Sequence, residues 1–337
     1  MAREGGVGKA EYLYPSGLVD PVAVGRLFED GCSVVLPQAQ DHVSSLRRMI
    51  RGLEADLSCR VQANVYLSSP GGSAFAPHYD EHDVFALQVH GTKEWTFFES
   101  DPPGRPTRPF DPDLDRPGPE LETFTLRQGD LCYLPRGLMH RAVAEDISVH
   151  VTIGVHWFRL VDLIRELIDR AVDERPELHA ALPHRWWVPD GAHDDAVRQL
   201  GDALGALASD DLATAALAGL RDDLVSTRQP LVPGQLSQLT RIDEVGQSTV
   251  VAPRAPMLWD MRKEADQVVL SCFANEISFP AAAAEALSNV LAVGPEGIAV
   301  RDIGGGLDEE GRIVLVRRLI REGVLESLVG AAHPHMP

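Results

Sequence analysis

The sequence predicts a fold that is mainly β with α: an antiparallel barrel or double sheet, then a helical region, then a small winged-helix-like unit. Three observations predict it. Between about residues 61 and 157, short β-branched and aromatic runs are divided by Gly/Pro turns with no helices between them. From residue 160 apolar residues recur at helical spacing, and beyond about 245 strand-like and helix-like runs alternate. These shifts divide the chain into 1–159, 160–245 and 246–337.

Taken in order, "DPVAVGRLFEDG" and "QDHVSSLRRMIRGLEADL", within residues 20–57, carry apolar residues at helix spacing. The strand series follows: "VQANVYLS", "HDVFALQVH", "KEWTFFE", "ETFTLR", "DLCYLP" and "ISVHVTIGVHW". Residues 99–122, rich in Pro and acid, read as a long loop between strands, with Glu99, Asp101, Asp111, Asp113, Asp115, Glu120 and Glu122 on it. Trp95 and Trp157 read as core. After Trp157, "RLVDLIRELIDRAVDE" sets Leu160, Leu163, Ile164, Leu167, Ile168, Ala171 and Val172 in one stripe. That excess of apolar surface predicts a dimerisation face, though it serves equally to cover the barrel. From 246 on, two strands and three short helices fit a winged-helix-like unit.

The formal net charge of −19 argues against a general nucleic-acid or anionic-membrane binder. Arg312, Arg317, Arg318 and Arg321 invite reading a recognition helix, yet residues 246–337 hold eight Lys and Arg against twelve Asp and Glu. The expectation is no nucleic acid. Four separated cysteines with no Cys-x-x-Cys pair read as reduced thiols, no apolar run reaches membrane-span length, and the first residues lack an apolar signal core. A cytoplasmic protein without a membrane partner is expected.

The chemistry concentrates in "FAPHYDEHDVFALQVHGTKEW", residues 75–95. Read as a strand, residues two apart share a face with Cα atoms roughly 6.5 Å apart, so His78 and Asp80 can reach one ion. His82, roughly 13 Å from His78 on the same geometry, is too far to join them. His82, Asp83 and His90 read as supporting or surface residues. A His-x-Asp alone arises by chance in an Asp-rich chain. In "GDLCYLPRGLMH" two turns return a third candidate, His140, to a strand edge. Alone, His140 reads as an ordinary strand-edge residue; with His78 and Asp80 it reads as a ligand. Two imidazoles and one carboxylate on one face of an octahedron leave three positions open, the arrangement of non-haem Fe(II) oxygenases, whereas structural zinc needs four closed ligands.

The runs "NVYLSSPGGSAFAPHYDEHDVFALQVHGTKEWTFFE", "GDLCYLPRGLMHRA" and "SVHVTIGVHW" resemble the JmjC-type 2-oxoglutarate oxygenases of the ribosomal oxygenase (cupin-4) group. The similarity covers about residues 26–160, and the downstream order of elements extends it. It implies a double-stranded β-helix, the cupin/JmjC jelly roll, with His78, Asp80 and His140 as catalytic iron ligands. It also implies Lys93 as the partner of the far carboxylate of 2-oxoglutarate, assisted by Asn64 with Tyr66 beside it. Read alone, Lys93 would be a hairpin lysine. His150 and Thr152 share a strand face; Thr152 lines the cosubstrate pocket on this reading, and His150 either joins it or is a satisfied core histidine. The chain departs from the resemblance in its first twenty residues, which lack the usual Trp- and Pro-containing strand, and at Gly154.

The resemblance implies Fe(II), with 2-oxoglutarate and dioxygen as cosubstrates, and hydroxylation of a protein or peptide side chain. Acids of residues 99–122 would attract a basic partner, such as a ribosomal protein segment offering Arg or His. Two other readings stand beside it: hydroxylation of a small metabolite or natural-product peptide, and a non-catalytic metal-binding cupin module. A homodimer is expected.

Overall fold

A computed structural model describes residues 1–101, 108–189, 191–228, 230–254, 256–273 and 275–328. Contacts divide the chain into two units, Met1–Trp157 and Phe158–Pro337.

In the first unit, α1 (Pro21–Glu29) starts where Asp20 Oδ1 accepts hydrogen bonds from the backbone N–H of Val22 and Ala23, with Pro21 opening the helix. After β1 (Val34–Leu36), α2 (Ser44–Leu57) buries Ile50 on the outer face of the larger sheet. That sheet runs β1-β2-β8-β3-β6, with β2 Arg60–Ser68, β3 Asp83–His90, β6 Leu131–Leu134 and β8 Ser148–His156. The smaller sheet runs β5-β4-β7, with β4 Lys93–Asp101, β5 Arg116–Leu126 and β7 Met139–Ala144. Every pairing in both is antiparallel.

Alternation sets what each face does. On β2 and β8, Val61, Ala63, Val151, Ile153 and Val155 pack toward α2. Their neighbours Asn64, Tyr66, His150 and Thr152 share the opposite face, because the register pairs Asn64 with Thr152 and Tyr66 with His150. Between the sheets, Val84, Ala86 and Leu134 of the larger meet Trp95 and Leu126 of the smaller in one core cluster.

Three expectations change in this unit. Residues 75–82 are an extended loop leading into β3, with no strand through His78 and Asp80. The expected loop at 99–122 is strand at both ends, since β4 runs to Asp101 and β5 begins at Arg116, and 108–115 between them is non-strand; residues 102–107 lie outside the described residues. β5 tolerates Pro117 and Pro119 because it is an edge strand, and its register shifts at two bulges opposite Phe97 to Ser100. Trp157 is 40% exposed at the end of β8 rather than in the core, and its indole N–H donates to Asp83 Oδ2 at 2.6 Å.

The second unit opens with α3 (Leu160–Glu174), α4 (Gly191–Leu207), α5 (Asp210–Ser226) and the short α6 (Gln235–Thr240). α3 packs on α5, where Gly219 lets the Glu166 carboxylate approach; a β-carbon there would collide with it. Of the α3 stripe, Ala171 is buried while Leu160, Ile164, Ile168 and Val172 are exposed. No single helix among the described residues is long and apolar enough to cross a membrane.

Beyond 246 the structure holds more strand than expected: β9 (Val250–Pro253), β10 (Asp260–Lys263), β11 (Gln267–Cys272), β12 (Asn275–Pro280), β13 (Ile298–Ala299) and β14 (Leu325–Ser327), with α7 (Ala284–Leu291) and α8 (Glu309–Arg321). The extra strands are short or half exposed, so their apolar signal is weak. They form the sheets β10-β11-β12 and β13-β9-β14 around a core that includes Val251, Leu270, Leu287, Leu315 and Leu319. On α8, Arg317 donates to the carbonyls of Asp243 and Val245, and Arg318 pairs with Glu322.

Candidate active site

His78 and His140 are joined by backbone. The N–H of His78 donates to the His140 carbonyl at 3.0 Å and the N–H of His140 to the His78 carbonyl at 2.8 Å. Gly137 N–H donates to the Asp80 carbonyl, and Arg136 N–H to Asp83 Oδ1. The ligand loop therefore lies antiparallel to the turn that enters β7, and directly opposed residues present their side chains to one side. The two imidazole centroids are 4.5 Å apart. Asp80 Oδ2 lies 3.9 Å from His140 Nε2, and one candidate ligand atom from each of His78, Asp80 and His140 falls within 4.8 Å of the others.

The ring orientations fit a metal. Nδ1 of His78 lies 2.9 Å from the Ala76 carbonyl, and Nδ1 of His140 lies 2.9 Å from the Leu138 carbonyl. A carbonyl can only accept, so each Nδ1 carries the proton and each Nε2 keeps its lone pair for an ion. Burial, and secondarily the charge of His78, pushes the His140 pKa down to about 4, which keeps that ring neutral. Two imidazoles and a carboxylate, with no cysteine in the group, suit a non-haem iron-type ion better than closed structural zinc. Among the described residues these three form the one such group.

They open into a cavity of about 330 Å³ between the two sheets. Asn64, Tyr66, Lys93, His150 and Thr152, all singled out in the sequence, line it too. Asn64 Oδ1 also accepts from Gln38 N–H. Tyr66 stacks on His150 at 4.7 Å, and burial, with the charge of Asp80, raises its pKa to about 12. Lys93 is 1% exposed; its Nζ donates to Ser68 Oγ at 3.2 Å and faces His150 Nδ1 at 3.4 Å. Burial lowers the pKa of Lys93 to about 8 and that of His150 well below its ordinary value. The ammonium has no carboxylate partner among the described residues, so an anion in the cavity would supply its missing counter-charge.

Residues 36–163 match the family model for the JmjC domain. This chain carries a JmjC domain. The chain is 34% identical over 188 residues to the Drosophila melanogaster bifunctional lysine-specific demethylase and histidyl-hydroxylase NO66, covering 52% of this chain and 28% of that protein. To the Dictyostelium discoideum NO66 it is 34% identical over 216 residues, covering 58% and 41%. The chain thus spans less than half the length of these curated relatives. The structure of E. coli ycfD superposes with a TM-score of 0.53 at 17% identity, covering 88% of this chain and 78% of that one, a likeness of fold. The two antiparallel sheets are accordingly those of the JmjC domain.

Within the JmjC domain the sequence reading missed several wall residues. His82, read as supporting or surface, lines the cavity and stacks on His156 at 4.1 Å. Gly154 makes room for it, since a β-carbon there would stand 2.7 Å from His82 Nε2. Asp83 supports the loop and the end of β8 through Arg136 and Trp157, and His90 is exposed beside a bulge. Trp95 stacks on His140 and meets His150 edge-on. Alternation on β4 relative to Lys93 is the signal that would have placed Trp95 in the wall.

Proposed function

We propose that this chain is an Fe(II)- and 2-oxoglutarate-dependent oxygenase that hydroxylates a side chain of a basic protein or peptide. One observation carries the reading: the His78, Asp80 and His140 cluster shares a single cavity with the uncompensated ammonium of Lys93. A metal-binding module without chemistry would have no use for that cation.

His78 and His140 hold the metal through Nε2, their planes fixed by the Ala76 and Leu138 carbonyls, and Asp80 adds the negative charge. Lys93 pairs with the far carboxylate of the keto acid, with Asn64, Tyr66 and Thr152 lining the same space. Bound there, ferrous iron and 2-oxoglutarate would supply the oxidising power: the keto acid would be oxidatively decarboxylated to succinate and carbon dioxide, with one oxygen atom of dioxygen entering succinate and the other a substrate C–H bond. Trp95 and Phe75 add apolar surface to a cavity otherwise lined mostly by polar side chains.

The basic substrate is supported by Glu99, Asp113, Glu120 and Glu122, which are exposed on β4, β5 and the turn between them. Asp115, counted with them in the sequence, is 3% exposed and internally paired, so it does not contribute. The similarity to NO66, a bifunctional lysine-specific demethylase and histidyl-hydroxylase, supports His as one target class. The exposed face of Leu160, Ile164 and Ile168 supports a homodimer, and four free cysteines support a cytoplasmic setting.

Anaerobic addition of Fe(II) and 2-oxoglutarate should produce a metal-to-ligand charge-transfer band, followed by succinate in air. A chain that binds iron yet gives neither band nor succinate would refute the oxygenase reading. Ile164→Glu should shift the chain to monomer on size exclusion if the α3 face pairs two copies.

A further inference from the structure

The segment 108–115 is folded back on itself around one carboxylate. Asp115 Oδ1 accepts from Arg108 Nη2 at 2.8 Å, while Oδ2 accepts from Arg108 Nη1 at 2.8 Å, from Asp111 N–H at 2.8 Å and from the Tyr79 hydroxyl at 3.1 Å. The first three bonds close the segment; the fourth leaves it. Tyr79 stands between His78 and Asp80, and on an extended backbone its side chain points away from theirs. Phe110, carried by the same segment, meets the Tyr79 ring edge-on at 5.3 Å and the His78 ring at 6.3 Å.

The ligand loop needs such an anchor. Its main-chain ties to the rest of the unit are the His78–His140 bridge and the Gly137–Asp80 bond, both on one side. They hold the carbonyls of His78 and Asp80 but, among the described residues, leave the peptide plane between Tyr79 and Asp80 without a main-chain bond. A hydrogen bond to a buried, ionised carboxylate is a stronger restraint than a neutral one, and Asp115 has every donor it needs to stay ionised at 3% exposure.

We propose that Asp115 is a positioning residue of the metal centre, acting through the Tyr79 hydroxyl to fix the backbone that carries His78 and Asp80. The inference rests on the metal reading above and adds a residue that the sequence presented as one acid among several on a solvated loop. Asp115 touches neither metal nor substrate in this scheme; it limits how far the two ligands can drift apart when the centre is empty.

The test is a Co(II) titration followed by visible absorption, without cosubstrate, with the thermal midpoint of the metal-free protein recorded alongside. Asp115→Asn should weaken Co(II) binding about 10- to 100-fold, the usual cost of losing a partner behind a ligand. Tyr79→Phe should weaken it in the same direction with the midpoint nearly unchanged. The double variant should bind no more weakly than Asp115→Asn, because both substitutions break one link. Tyr79→Phe with unchanged Co(II) affinity would overturn the proposal, even should Asp115→Asn fail to fold. Additive losses would also overturn it, as would an Asp115→Asn protein that melts earlier but binds normally. If the unsubstituted chain binds no Co(II), the metal reading itself fails and takes this proposal with it.

Discussion

Lys93 faces His150 across 3.4 Å, cation to neutral imidazole, with Ser68 as its other neighbour and no carboxylate among the described residues to balance it. Burial disfavours the charged form of both groups, and each is held in place by the strand pairing around it. On the proposed reading, the pair is where the carboxylate of the cosubstrate would bind.

Cosubstrate affinity should therefore depend on pH through Lys93. In the free chain its pKa lies at about 8, and a bound carboxylate favours the ammonium. Binding of 2-oxoglutarate takes up a proton above that pH, so affinity is full below it and falls as pH rises through it. Calorimetric titration of the Co(II)-loaded protein should give a Kd about tenfold weaker at pH 9 than at pH 7. A flat profile over that range would remove Lys93 as the carboxylate partner, as would an unchanged Kd in Lys93→Ala.

The same group should lower the stability of the empty protein. The drop from an ordinary 10.5 to about 8 corresponds to roughly 3 kcal/mol at neutral pH. Between those values the unfolded chain binds more protons than the folded one, so stability rises with pH across that window and the full cost applies below pH 8. Lys93→Met, which keeps the volume and drops the charge, should raise the midpoint of the apo protein at pH 7 by an amount equivalent to about 1–2 kcal/mol. The gain should shrink toward pH 10. Thermal melts at both pH values decide it.

Removal of any one ligand should abolish metal retention. His78→Ala, Asp80→Ala and His140→Ala should each weaken Co(II) binding by more than about 100-fold, beyond the effect of an outer partner. His82→Ala should retain the ion, since His82 stacks on His156 and is not one of the three converging residues. Retained metal and activity in Asp80→Ala would sink the site assignment.

Gly154 and His82 should behave as a pair. Gly154→Ala places a β-carbon against the His82 ring, which is held by stacking on His156, and should destabilise the protein by about 1–2 kcal/mol. In a His82→Ala background the same substitution should cost little, because its collision partner is gone. A double-mutant cycle in denaturant shows the coupling directly.

The strand series was legible because β2, β3, β4 and β8 are short runs rich in β-branched and aromatic residues between turns, and α1 and α2 because their apolar residues recur at helical spacing. The convergence of His78, Asp80 and His140 was legible from His-x-Asp and the turn before His140. What escaped depends on long-range pairing. The loop at 75–82 reads as strand because its bridge to His140 comes from a segment sixty residues away. β5 reads as loop because Pro117 and Pro119 are tolerated only by virtue of its edge position. Asp115 reads as a solvated acid because its donors, Arg108 and Tyr79, are set by tertiary folding. Each miss is a case where local composition is overruled by a distant neighbour.

The reciprocal bonds between His78 and His140 tie the site's completion to long-range closure of the fold. A growing chain that has emerged only as far as β4 owns two donors but lacks the third, and nothing yet zips the first two into place. On the proposed metal reading, an ion would bind only once β7 has paired with β4 and brought His140 to the other two, and it would then stabilise that closed arrangement, because it binds the finished site and not its precursors.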